Sequence, residues 1–143
     1  MSESKRTKYR RPIAAALALL ALAGCSLTPS QRAETVFQVV NGIDFAQTLN
    51  SARGNCFREG NPITRSVIGE HPSEAGVTVY GAAQGAAHYA ISAWLDREVD
   101  STDSAAWWRS RLLWHVLTIG WAAHSVIRNE RVGAEPFGSG TCP

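Results

Sequence analysis

The stretch that decides the fold is HPSEAGVTVYGAAQGAAHYAISAWL, residues 71–95. From 75 to 95 it carries no charge and is crowded with Ala and Gly. Gly81 and Gly85 lie four apart, as do Ala82 and Ala86, and Ala86 and Ala90. Four residues is about one helical turn, so these small side chains share a face on which a second helix can approach closely. His71-Pro72-Ser73-Glu74 supplies the start, with an acid in the first turn.

Working outward, Thr28-Pro29-Ser30-Gln31 has the form of a capping box with proline at the first helical position. Apolar residues then recur at Ala33, Val36, Val40, Ile43 and Ala46, close to a helical period. This predicts a first helix over 29–52, ending near Gly54, with Gly42 a weak point inside it. Residues 53–74 read as a structured loop holding a short helical turn that Asn61-Pro62 opens and Gly69 stops. Residues 96–104 read as a polar, acidic link. A last helix is expected over 104–129, with Trp107, Trp114 and Trp121 seven apart on one ridge. Leu112, Ile119, Ala122 and Val126 cover much of its remaining surface. No strand alternation or internal repeat is evident. The expected fold is all-α: a small bundle of three main helices plus one short helical turn, with an irregular tail over 133–143.

The 143-residue length allows one compact domain, and the charge is unevenly placed along it. Lys5, Arg6, Lys8, Arg10 and Arg11 precede the apolar run IAAALALLALAG, which ends at Cys25. Beyond residue 24 there are nine Arg against eleven acids and no Lys, a net charge of −2. The basic balance therefore belongs to the leader, and a nucleic-acid partner is not expected. A basic segment followed by a short apolar run is a secretory signal. Its end, Leu22-Ala23-Gly24-Cys25, resembles the lipobox of bacterial lipoproteins. That resemblance implies cleavage before Cys25, diacylglyceryl and acyl chains on that cysteine, and 25–28 as the lipidated N-terminus of a helical domain over 29–132. Two or three chains would hold the protein stably on a membrane. By resemblance to the sorting rules of enterobacterial lipoproteins, Ser26 rather than Asp after the cysteine implies the outer membrane. In an oxidising periplasm, Cys56 and Cys142 either pair or remain two free thiols. Pairing would contribute on the order of 4 kcal/mol in the chain-entropy model.

Segments 75–95 and 112–127 could instead be membrane spans, which would place the chain in the inner membrane. The second is shorter than the roughly 20 residues a bilayer core requires. Gln84, His88, His115 and His124 would be costly at membrane depth unless paired. A lipid-tethered bundle is the favoured reading.

Asp44-x-x-Gln47-Thr48, Glu59-x-Asn61-Pro62-Ile63, Gly69-x-His71-Pro72-Ser73, Tyr80, His88 and Asn129-x-x-x-Gly133 together resemble a family of small proteobacterial and phage-associated envelope proteins. The resemblance covers about residues 36–133 and centres on an Asn-Pro-Ile … Gly-x-His-Pro-Ser core. It implies an envelope location and carries no catalytic role. The segment between Ile63 and Gly69 is longer here than in the family's pattern.

Several residues could carry chemistry. Asp44 and Thr48 share one face of the first helix, with Gln47 beside them and Asn41 extending the row. They form either a carboxylate site facing the bundle or a solvated face. Gln47, Thr48 and Asn61 are expected as structural polar groups. If Asp44 is buried, its partner should be Arg53, Arg58, Arg65, His71 or the N–H groups opening the second main helix. His88 stands in a polar row with Gln84 and Ser92. It is either a satisfied interior histidine or a general base. Asp44, His71 or His88, and Ser73 supply the residue types of a hydrolase, although no G-x-S-x-G elbow is present. Metal-ligand spacings such as H-x-x-x-H and C-x-x-C are absent, and no phosphate-cradling loop follows a strand, so neither metal nor cofactor is expected. Trp107 and Trp108, beside Arg109 and Arg111, are the interface candidates.

The expected function is a lipid-anchored envelope protein with a non-enzymatic binding or structural role toward an envelope protein partner. The phage-linked resemblance adds an exclusion or lysis accessory as its sharper form. A small membrane-associated hydrolase is the alternative. Mass spectrometry of the mature N-terminus should show an acylated Cys25 and no residues 1–24, and an intact Met1 or a free Ser26 would contradict this.

Overall fold

The computed structural model describes residues 27–54, 58–102 and 104–134. Cys25, Cys56 and Cys142 lie outside them, as does most of the 133–143 tail. The chain divides into two units, residues 1–32 and 33–143. The described residues form four helices and no strand: α1 (Pro29–Gly54), α2 (Pro62–Ile68), α3 (Glu74–Thr102) and α4 (Ala105–Arg131). The architecture is a small all-α bundle.

The helix starts follow from local chemistry. Thr28 Oγ1 accepts from the Gln31 N–H at 3.2 Å, and Gln31 Oε1 accepts from the Thr28 N–H at 2.9 Å, a reciprocal capping box. Asn61 caps α2 by accepting from the N–H groups of Ile63 and Thr64, with Pro62 at the first position. Gly69, at φ +88°, stops it. Ser73 Oγ accepts from the Gly76 N–H at 3.1 Å and so caps α3.

The end of α4 closes with two bonds. Ala134 N–H donates to the Asn129 carbonyl and Gly133 N–H to the Glu130 carbonyl, while Gly133 takes φ +83°. This is a Schellman motif, and the left-handed residue explains a glycine four positions after Asn129.

Residues 96–102 are not a link. They continue α3 to Thr102, because nothing from Asp96 to Thr102 breaks a helix and the polar side chains find local partners. Thr102 Oγ1 and Ser101 Oγ donate to the Glu98 carbonyl, and Asp96 pairs with Arg111 across the turn. The connection to α4 is therefore only two residues long. Pairing of His88 with Thr118, Ser92 with Trp114 and Asp96 with Arg111 makes α3 and α4 an antiparallel hairpin. Gln38 opposite Gly85 and Phe45 opposite Gly81 set α1 antiparallel to α3.

The small-residue face of α3 receives α1. A Cβ at Gly81 would fall 2.5 Å from Phe45 Cδ2, and one at Gly85 would fall 3.1 Å from Gln38 Oε1. Among the described residues of 33–143, the buried apolar ones are Phe37, Val77, Leu95, Ala122 and Ala134, and the buried polar ones are Asn41, Gln47, His88, Ser92 and His115. The interior is as polar as it is apolar, while Val36, Val79, Tyr89, Leu113, Val116 and Leu117 are exposed. No helix among the described residues is long and apolar enough to cross a membrane.

Gly42, also inside a helix, has nothing near its missing Cβ. Urea unfolding should show Gly42→Ala stabilising by up to about 1 kcal/mol through helix propensity. Gly81→Val should destabilise by about 1–3 kcal/mol, because the Phe45 ring must move.

Candidate functional site

Two polar groupings occupy the bundle. The first is a cleft of about 170 Å³ above the C-terminal half of α1. Asn41, Asp44 and Thr48 from α1 form one wall, Tyr80, Gly81 and Gln84 from α3 a second, and Trp121, Ser125, Arg128 and Asn129 from α4 a third. Glu59, Gly60 and Asn61 in the loop, with Thr64 of α2, cover it. The loop is held by the Glu59 N–H donating to the Glu70 carbonyl at 2.9 Å and the Asn61 N–H donating to Glu59 Oε1 at 2.7 Å. A smaller adjoining cavity shares Thr48, Arg58, Glu59, Gly60, Asn129 and Val132 and reaches Pro72.

Asp44 is the centre of this cleft, but its partner is not a cation. Asn129 Nδ2 donates to Asp44 Oδ1 at 2.8 Å. The expected cations are used elsewhere: Arg53 pairs with Glu74 and Arg58 with Glu70, both exposed pairs. Competition decides this outcome. An exposed Arg–carboxylate pair forms without desolvating either charge, whereas reaching Asp44 would bury the guanidinium. Burial first and the Glu59 charge second, opposed only by the Asn129 amide, therefore raise the Asp44 pKa from 3.8 to about 6.

Gln47 is fully buried and donates from Nε2 to the Val126 carbonyl at 3.4 Å, tying α1 to α4. Its Oε1 is buried with no hydrogen-bond partner among the described residues. Thr48 lines both cavities, and Asn61 lines the larger one while capping α2.

The second grouping surrounds His88, which is 3% exposed. Its ring lies flat on Phe37, with centroids 3.4 Å apart and an interplanar angle of 8°, and stacks at 4.9 Å with Trp114. His88 Nδ1 lies 2.8 Å from Glu34 Oε2, and Nε2 lies 2.9 Å from Thr118 Oγ1. Glu34 Oε1 accepts from Gln38 Nε2, which also donates to the Gly85 carbonyl. Trp114 Nε1 donates to Ser92 Oγ at 3.1 Å. His115 comes close from α4, its ring centroid 5.9 Å from that of His88. Burial pushes both histidines below the ordinary imidazole range, against the upward pull of Glu34. Glu34, His88 and His115 each bring one possible ligand atom to within 4.8 Å of the others. Spacing along the chain does not reveal this set, because each residue comes from a different helix.

The structure gives the hydrolase candidates separate partners. Asp44 is bound by Asn129, Ser73 caps α3, His88 is engaged by Glu34 and Thr118, and His71 is exposed and lines neither cavity. Trp107 is an interface candidate only in part, since it packs edge-to-face on Trp94 at 5.3 Å, whereas Trp108 is half exposed. Sequence reading missed Glu34, Thr118 and the pairing of Asn129 with Asp44. The signal for Glu34 was present: the polar row Asn41, Asp44, Thr48 extends back through Gln38 to Glu34 at helical spacing.

A carboxyl whose pKa is raised on folding contributes stability below its unfolded value, and that contribution is lost as pH rises through the folded value. For Asp44 the window runs from 3.8 to about 6. Asp44→Asn keeps an acceptor for Asn129 and removes the buried charge. Thermal unfolding at pH 8 should therefore show a gain on the order of 2 kcal/mol that vanishes near pH 3. A loss at pH 8 would mean that the carboxylate is charge-paired. Comparison with protein-family models, with curated proteins and with solved structures gives no match to this chain.

Proposed function

We propose that this chain is a lipid-anchored envelope protein that acts by binding a protein partner of the envelope rather than by catalysis. The observation that carries the reading is the outer surface of the α3–α4 hairpin. On α4, Trp108, Leu112, Leu113, Val116, Leu117 and Trp121 are all about half exposed or more, and Leu117 reaches 67%. On α3, Val79, Tyr89, Ile91 and Trp94 are exposed as well, with Val79 at 70%. Isolated exposed apolar residues are ordinary, but a continuous row of this length on one element marks an interaction surface. Tryptophan and tyrosine are the residues that most often dominate protein interfaces. Arg109 on the same helix, and Arg111 held by Asp96, supply a polar border. The lipobox at Leu22-Ala23-Gly24-Cys25 supports an anchor, since α1 begins at Pro29, only a few residues after the modified cysteine.

A protein partner fits this face better than acyl chains do. The uncharged part of α4 between Arg111 and Arg128 is 16 residues and includes the exposed His124. The resemblance to phage-associated envelope proteins supports an exclusion or lysis accessory as the specific role.

Photo-crosslinking in intact envelopes from a probe at Leu117 should yield one discrete adduct with a single envelope protein. It should disappear in Leu113→Ser/Val116→Ser, and a probe at Glu130 should not give it. Adducts only with lipid, or only with a second copy of this chain, would overturn the reading.

A further inference from the structure

The hydrogen bonds around His88 leave a position between three helices that a metal ion would fill. Thr118 Oγ1 lies 2.7 Å from the Trp114 carbonyl and 2.9 Å from His88 Nε2, and the imidazole tautomer decides which of the two it donates to. When the hydroxyl donates to the carbonyl, Nε2 carries the proton and, in the neutral ring, Nδ1 is a lone pair 2.8 Å from the acceptor Glu34 Oε2. Ser92 Oγ, at 3.5 Å, is too distant to bond Nδ1 well. Glu34 Oε2 is buried, and no hydrogen-bond donor is directed at it among the described residues. At 2.8 Å these two atoms are at hydrogen-bond distance, which either a proton or a metal ion held between them and a third donor accommodates. The third donor, on His115, lies within the same 4.8 Å.

We propose that Glu34, His88 and His115 form a binding site for a divalent transition-metal ion of the zinc class, which would join α1, α3 and α4. Two imidazoles and one carboxylate are a recognised zinc donor set, and one negative charge against a divalent ion suits a site of low polarity. Donors on one tetrahedral ion sit roughly 3.3 Å apart with bonds of about 2.0 Å. Small side-chain rotations would open the 2.8 Å Glu34–His88 pair and bring the His115 donor in to that value. The surroundings match what a ligating histidine needs. The far nitrogen of His88 is held by Thr118, and its ring is fixed between Phe37 and Trp114. Gln38 binds the other oxygen of Glu34. This site is separate from the apolar face proposed for partner binding and does not depend on it.

The test uses the full chain purified in detergent, stripped with chelator and titrated with Co2+ and then Zn2+. The expected results are one equivalent bound, a visible d–d band of four-coordinate Co2+ displaced by Zn2+, and a higher thermal midpoint with Zn2+. His115→Gln and Glu34→Gln should each weaken Zn2+ binding by about tenfold or more. His71→Gln and His124→Gln, at exposed histidines, should leave it unchanged. If either ligand variant fails to keep its helical circular dichroism, X-ray absorption of the wild-type zinc adduct decides: a shell of imidazole nitrogen and oxygen supports the site. Sulfur in that shell would assign the ion to the cysteines and overturn the proposal. No stoichiometric binding, or full affinity in both ligand variants, would overturn it equally and leave a proton shared between Glu34 and His88.

Discussion

Everything else in this bundle is arranged around a buried imidazole of α3 that contacts two other helices at once. His88 touches Glu34 on α1 and Thr118 on α4, and its faces are covered by Phe37 and Trp114. Aliphatic packing has little directionality, and here the buried apolar residues are few. Register is fixed instead by hydrogen bonds that work at only one alignment. Trp114 Nε1 on Ser92 Oγ, Gln38 Nε2 on the Gly85 carbonyl and Gln47 Nε2 on the Val126 carbonyl each lock a pair of helices at one position. A polar interior of this kind is stable only while its members are satisfied, because unpaired groups in a low dielectric are costly.

That requirement explains the glycines of α3. Polar side chains such as Gln38 reach a backbone carbonyl on the next helix only if the two backbones come close. Gly85 offers both the space and the carbonyl. Gly81 admits the Phe45 ring, which forms part of the wall of the Asp44 cleft. The same spacing that permits close packing thus shapes the cleft.

Apolar groups that do not go inside occur on every helix, and the most closely spaced set is on α4, where Leu112, Leu113, Val116 and Leu117 are exposed. A chain with a hydrogen-bonded interior and an apolar exterior is adapted to further apolar contact, and this distribution sets the functional reading. Asp44 differs from the rest of the interior. Its carboxylate is half-buried with an amide as its hydrogen-bond partner, and burial and Glu59 hold its pKa near 6. The loop over it is shaped by caps: Asn61 starts α2, Gly69 stops it and Ser73 starts α3. The Asn-Pro-Ile and His-Pro-Ser signatures are therefore, in large part, the punctuation that brings Glu59 and Asn61 to the cleft.

The sequence by itself determined the elements. Capping pairs, prolines at first helical positions and stopping glycines act within a few residues, so α1, α2 and the start of α3 were legible from the chain alone. The small-residue face of α3 was legible for the same reason, since helical spacing is a local property. The continuation of α3 to Thr102 was missed because acidic residues look like a link until Arg111 is seen opposite Asp96. Tertiary structure alone decided which polar groups meet. Asp44 and Asn129 are 85 residues apart, and Glu34, His88 and His115 come from three helices. No periodicity along the chain encodes such meetings. They depend on helix register, which only the close approach at Gly81 and Gly85 and the competition among charges for exposed partners could set.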